Sequence, residues 1–243
     1  MRRYGPAVLL VLMGAAILRV SLFSELYLRY VQSGLRPYLV VSGAALVLLG
    51  TASAVLTTRV EDEHGHGDDG DRTGHDHGPA GPRVAWFLTL PALALLLFPP
   101  PALGSYSAER EAGRRAAQGV GTFPALPSGN PVDLALGEFG SRAVYDSGRS
   151  LEGRTVRLTG FVTRDDDGTW YVTRLLVSCC AADATAAKAE VRGAQAPPVD
   201  TWVTVTGTWH PEGQPGSAAA WPPVVDAGSV RRVPQPDDPY EKR

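Results

Sequence analysis

The sequence has little of what would make several common functions readable. It has two cysteines in 243 residues, so no disulfide framework can be drawn. It has no Cys-x-x-Cys motif and no evident base beside the thiols, which counts against a thiol-redox enzyme. It has no His-Glu-x-x-His helix, no Ser/His/Asp spacing and no glycine-rich phosphate loop of the Walker type. The expectation is therefore a non-enzymatic chain that is not itself an ATPase subunit. Charge of one sign is also missing: 23 Lys and Arg face 25 Asp and Glu, a net charge of −2. Neither half is strongly basic, so nucleic acid is not the expected partner.

Long apolar runs, by contrast, are present in the first hundred residues. Tyr38–Leu56 and Val84–Leu103 carry no charge, and Tyr4–Phe23 carries only Arg19. Each is close to the roughly 20 residues that a helix needs to cross a bilayer core. Arg19 lies near the end of its segment, where a long side chain snorkels to the interface. Arg2 and Arg3 ahead of an apolar run suit a signal peptide, but no convincing small-x-small cleavage site precedes Arg19, two more apolar runs follow, and there is no lipobox cysteine. The segment is read as an uncleaved first span, giving about three spans near 4–23, 38–56 and 84–103 within a membrane region 1–104. Loop charges do not separate the two orientations. Arg2 and Arg3 favour a cytoplasmic N-terminus, which makes the C-terminal half extracytoplasmic.

Between the second and third runs lies the stretch 61–78, EDEHGHGDDGDRTGHDHG. Four of the five histidines fall here, as the pairs His64/His66 and His75/His77, beside Asp68 and Asp76. Imidazole and carboxylate together suit divalent transition metals, zinc first among them. Five glycines oppose a fixed helix or strand, so loose, weakly selective binding is expected. Incidental metal affinity, or a plain solvated linker, are the other readings.

After the prolines at 99–101 the composition becomes mixed. Residues 105–150 read as a linker with short helices at Ala108–Gln118 and Asp133–Tyr145. From 151 to 234 the period changes to two. Thr155–Thr163, Thr169–Val177 and Thr201–Trp209 alternate apolar and polar residues, as half-buried strands do. Asp165–Gly168 is a turn, Val224–Val233 a last strand, and the alanine-rich Ala181–Val191 a helix. Residues 235–243 read as a tail. Strands, a helix and further strands, with Gly160 and Gly207 at bends, predict an all-β, OB-like small barrel. Trp170, Tyr171, Trp202 and Trp209 are either a stacking platform or packing residues.

The two cysteines are adjacent, in Ser178-Cys179-Cys180-Ala181-Ala182-Asp183. Neighbouring Cα atoms sit ~3.8 Å apart, short of the usual ~4.4–6.8 Å of a disulfide. Three readings stand: thiolate ligands for a soft or borderline metal, a strained redox-active bridge, or small buried residues at a strand end. As ligands, both thiols can face one metal only where the strand has ended, because neighbours on a strand point to opposite faces. Asp183 then serves as a helix N-cap or a third ligand, and His210 is a further candidate.

Gly160-Phe161-Val162 and Ser178-Cys179-Cys180-Ala181-Ala182-Asp183-Ala184, together with Val203–Trp209, resemble the YcgQ-type membrane proteins. The resemblance is strongest over Gly153–Val233; the N-terminal half matches mainly in hydropathy. It implies a bacterial subunit of a two-component permease, encoded beside a larger multi-span permease of uncharacterised substrate, with a suggested link to metal homeostasis and no defined catalytic residues. The expected function is an accessory transport subunit in the cell membrane, handling a divalent or soft metal ion with a multi-span permease as partner. The alternative is a membrane-tethered metal or cofactor chaperone acting without a permease.

Overall fold

The computed structural model describes residues 5–63, 97–98, 101–111, 120–147 and 149–242. It divides into two compact units. One unit comprises residues 1–27 and 34–101; the other comprises Leu28–Ser33 and 102–243.

The first unit holds two long apolar helices, α1 (Gly5–Phe23) and α2 (Arg36–Glu63). Both are long and apolar enough to cross a membrane. They pack through small residues. Ala7, Gly14 and Ser21, seven apart along α1, are its buried positions with Gly5. Seven residues equal about two helical turns, so they form one stripe. On α2 the matching positions are Gly43 and Gly50. A Cβ on Gly14 would lie 2.6 Å from the Gly43 carbonyl oxygen, and one on Gly50 would lie 2.8 Å from that of Ala7. Without side chains there, the backbones approach closely, as in membrane helix pairs. Large apolar residues such as Leu12, Phe23, Val41 and Leu48 are exposed, as lipid-facing positions would be. Arg36 donates from Nε to the Ser21 carbonyl at 2.9 Å, satisfying one of the carbonyls left free at the end of α1.

Only two such helices lie among the described residues. The third apolar segment, 84–103, falls outside them up to Leu96, as do His64, His66, His75, His77, Asp68 and Asp76. As a whole the chain is not histidine-rich: five histidines in 243 residues is an ordinary share, and only their spacing is unusual.

The second unit is built on a seven-stranded sheet: β1 (Val132–Asp133), β2 (Thr155–Arg164), β3 (Trp170–Val177), β4 (Thr185–Arg192), β5 (Trp202–His210), β6 (Val224–Arg232) and β7 (Tyr240–Lys242). The strand order is β1-β2-β5-β6-β4-β3-β7, and β2 also pairs with β3. The β4–β6 pair is parallel; β2–β3, β2–β5, β3–β4 and β5–β6 are antiparallel. Val156, Leu158, Val162, Val172, Ala189, Val203, Val205 and Val225 meet in one core. Phe139 and Leu136 enter it from the helix Leu136–Tyr145, here α4, since α3 is the seven-residue helix Ser105–Glu111. Fully burying a side chain such as Phe139 contributes about 1.5–3 kcal/mol.

The alanine-rich stretch read as a helix is a strand. Ala181–Asp183 makes one 3-10 turn, and β4 begins at Thr185. Ala187, Ala189 and Val191 are buried, whereas Lys188, Glu190 and Arg192 between them are not. Alanine favours a helix locally, but alternation against β3 and β6 decides the outcome.

Both glycines expected at bends are required by close approach. A Cβ on Gly160 would run into the Thr173 carbonyl oxygen, and one on Gly207 into that of Asp226. At Gly207 the β5–β6 register shifts by a bulge.

The short helices are capped from a distance. No side chain of Ala135, the N-cap of α4, is available to do this; instead Glu241 of β7 accepts the Leu136 and Gly137 amides at 2.8 and 3.0 Å. Asp200 does the same for the first residue of α3, accepting both the amide and the hydroxyl of Ser105.

The four aromatic residues do not form a common platform. Trp170 and Tyr171 are buried. Trp170 donates to the Ala194 carbonyl at 3.0 Å, and Tyr171 donates to Asp165 at 2.8 Å. Trp209 packs against the main core. Trp202 meets Phe161 edge-on and lies under the Arg174 guanidinium, 4.9 Å from its ring centre. Arg174 is buried, which pulls its pKa down, and it donates to the carbonyl of Asp238 at 2.8 Å.

Candidate functional site

The two cysteines lie just beyond the end of β3. That strand stops at Val177, so the alternation that would aim adjacent thiols apart has ended. The Cys179 and Cys180 sulfurs are 3.6 Å apart and both are free thiols. With Asp183 they form one group whose candidate ligand atoms all lie within 4.8 Å of one another. Cys179 is exposed, and Cys180 and Asp183 are partly so.

Asp183 is not a helix N-cap. It is the last residue of the 3-10 turn, and its carboxylate reaches backward. It accepts the Ser178 amide at 2.9 Å and the Cys179 amide at 2.8 Å, closing a six-residue loop. The amide of Ser178, then the thiol and amide of Cys179, hold the Asp183 carboxyl below its ordinary range. The same contact acts in reverse on Cys179. With the Asp183 carboxylate beside it and its thiol donating toward the Cys180 sulfur, its pKa is pushed up to about 11. The loop thus favours the protonated form of Cys179. Redox exchange and metal ligation both use the thiolate, so either would have to displace this proton. The exposure of Cys179 counts against its being buried filler.

A second element fixes the loop. Residues Leu28–Ser33, which lie between α1 and α2 in the chain, belong to the unit of the sheet. Val31 bridges antiparallel to Cys180. The Gln32 amide donates to the Cys179 carbonyl at 3.1 Å, and the Ala181 amide to the Tyr30 carbonyl at 2.8 Å. The Gln32 side-chain amide donates to the Val177 carbonyl at 2.7 Å. Tyr240 of β7 donates its hydroxyl to the Arg29 carbonyl at 2.9 Å. These contacts had no signal in the sequence, because they join positions far apart in the chain and run mostly through backbone groups that every residue carries.

His210 does not join the cysteines. Its Nδ1 is 2.9 Å from Asp226 Oδ2. The register puts it opposite Val224, which pairs with Glu190, whereas the cysteine loop lies past Leu176, which pairs with Thr185. Five residues of β4 separate the two, ~17 Å at the usual rise of a strand. Among the described residues, Cys179, Cys180 and Asp183 are the group with metal-ligand spacing.

Fold and loop together define a small β-sheet domain in a chain that also carries apolar, membrane-competent helices. Over residues 141–241 the chain matches the family model described as the DUF1980 C-terminal domain. The match fits the uncharacterised YcgQ-like family that the Gly160–Val162 and Ser178–Ala184 motifs resemble. No curated protein matches the chain, and no solved structure does.

Proposed function

We propose that this chain is an accessory membrane subunit of a permease and that it handles a divalent or soft metal ion, zinc first, at the Cys179–Cys180–Asp183 loop. The observation that carries the reading is the 3.6 Å between the two sulfurs beside the Asp183 carboxylate. Two thiolates on one tetrahedral zinc, with Zn–S of about 2.3 Å, stand roughly 3.8 Å apart. The loop reaches that spacing without moving the strand. The His/Asp stretch 61–78 is a second, looser collector of the same cation. The role is non-enzymatic.

The strand pairings run β2-β3-β4-β6-β5 and back to β2, which supports an OB-like small barrel. The chain's path supports three crossings. The segment between α1 and α2 pairs with the cysteine loop, so it shares a side of the bilayer with the sheet domain. Helix α2 carries the chain away from that side, and a crossing by the apolar run 84–103 returns it. With Arg2 and Arg3 inside, the barrel is extracytoplasmic and the His/Asp stretch is cytoplasmic. Three spans are too few for a transport pathway of the inverted-repeat kind, so a separate multi-span permease is the expected partner.

The exposure of Cys179 favours a second reading, a tethered metal chaperone that hands its cargo on without a permease. Purification from native membranes separates the two readings. A stable multi-span partner supports the subunit; recovery of the chain alone supports the chaperone. The metal reading itself is tested by metal content. Purified wild type should retain a thiolate-bound equivalent that the Cys179→Ser/Cys180→Ser double variant loses and that the chain lacking Glu61–Gly78 keeps. Equal metal in all three removes the site.

A further inference from the structure

We infer that the cysteine loop is an open site: it offers three ligands, and its fourth position takes an imidazole from a partner protein. The inference rests on the metal reading above and adds the chemistry of the hand-off.

Zinc in a closed structural site has four protein ligands; a site with three keeps one position for an exchangeable group. Cys179, Cys180 and Asp183 supply three, and no fourth His, Cys, Asp or Glu joins them among the described residues. Three neighbouring backbone oxygens are already engaged as hydrogen-bond acceptors. The Val177 carbonyl accepts from Gln32 Nε2, the Cys179 carbonyl from the Gln32 amide, and the Cys180 carbonyl from the Asp183 amide. His210 is held by Asp226 toward the opposite end of β4.

Charge selects the incoming donor. Two thiolates and a carboxylate place three negative charges on a divalent cation, leaving the site at −1. A further thiolate or carboxylate would bring a second net negative charge to a partly exposed loop. A neutral imidazole completes the tetrahedron without that repulsion and suits zinc as a nitrogen ligand. The chain's own histidines at 64–77 are one source of imidazole. On the three-crossing path they lie across the bilayer from the loop, so a partner's histidine is the donor.

The test uses the full chain in detergent, loaded with cobalt(II) as a spectroscopic substitute for zinc, with free imidazole as the probe. Thiolate-to-cobalt charge-transfer bands should appear and should be absent from the double cysteine variant. Imidazole should then shift the ligand-field bands saturably, one equivalent per site, while the thiolate bands persist. Deleting Glu61–Gly78 should leave that response unchanged. Absence of thiolate bands in wild type would remove the metal reading, and this inference with it. Thiolate bands that ignore imidazole in both the full and the loop-deleted chain would show the fourth position already filled, overturning the inference alone. Sensitivity that appears only after the deletion would make the chain's own loop the donor and would overturn the partner assignment.

Discussion

Replacing Asp183 with Asn should make Cys179 more reactive, and the size of the effect follows from the loop. Asp183 is the leading cause of the rise in the Cys179 pKa from an ordinary 9.0 to about 11, with Cys180 contributing. At pH 8 a thiol of the first kind is about one-tenth thiolate and one of the second about one-thousandth, a roughly hundredfold difference in the reacting form. The more basic thiolate is intrinsically the better nucleophile. A Brønsted slope of about 0.4–0.5 returns roughly eightfold of that difference. Because Cys180 supplies part of the rise and is absent from the assay background, the net expectation is alkylation of Cys179 several-fold faster, at most about tenfold, in Asp183→Asn at pH 8. The assay is the rate of iodoacetamide labelling of metal-free protein in a Cys180→Ala background, so that one thiol reports. The pH profile carries the same information: the wild-type rate should keep rising past pH 10, whereas the variant's should bend near its ordinary 9.0. An equal or slower rate in Asp183→Asn would refute the idea that this carboxylate holds the thiol protonated.

Acid should open the loop. The folded-state pKa of Asp183 lies below its ordinary 3.8, so its contribution is fully present above that value and is lost as pH falls through the lower, folded one. The NMR amide shifts of Ser178 and Cys179 should move together in that range and stay still above pH 5. Removing the remote cap of α4 with Glu241→Ala should cost about 1–2 kcal/mol by chemical denaturation, because two helix-terminal amides lose a charged acceptor. Glu241→Gln should recover part of the loss. Gly160→Ala should cost more than an ordinary surface change, about 1–3 kcal/mol, since its methyl group meets the Thr173 carbonyl at a strand crossing. An unchanged midpoint would mean that β2 and β3 separate there at no cost.

The long strands were legible because apolar and polar residues alternate along their sequences. Val156 and Leu158 of β2 and Val203 and Val205 of β5 carry the inward positions, although the second half of β2 is buried on both faces, and the Asp165–Gly168 turn lies between β2 and β3 as expected. β4 was not legible as a strand. Its inward residues are Ala187, Ala189 and Val191, and two alanines look more like a helix than like a buried face. β1 and β7, of two and three residues, are too short to show any period. The candidate site divides in the same way. Cys179, Cys180 and Asp183 lie within five residues, so their meeting was readable. The backbone clamp from Tyr30 to Gln32 and the cap from Glu241 join positions more than a hundred residues apart and leave no mark in the sequence.

The clamp also bears on how the domain is made and studied. Tyr30–Gln32 leave the ribosome about 150 residues before the cysteines they bind, and they do so between two helices long and apolar enough to cross a membrane. The loop therefore reaches its final form only after both helices and most of the sheet domain have been synthesised. A soluble fragment beginning at Ala102 would carry every strand and both cysteines. It would still leave the Val177 and Cys179 carbonyls and the Ala181 amide without the partners they have in the full chain. Measurements of thiol reactivity or metal affinity on such a fragment would describe a looser loop than the one the full chain builds.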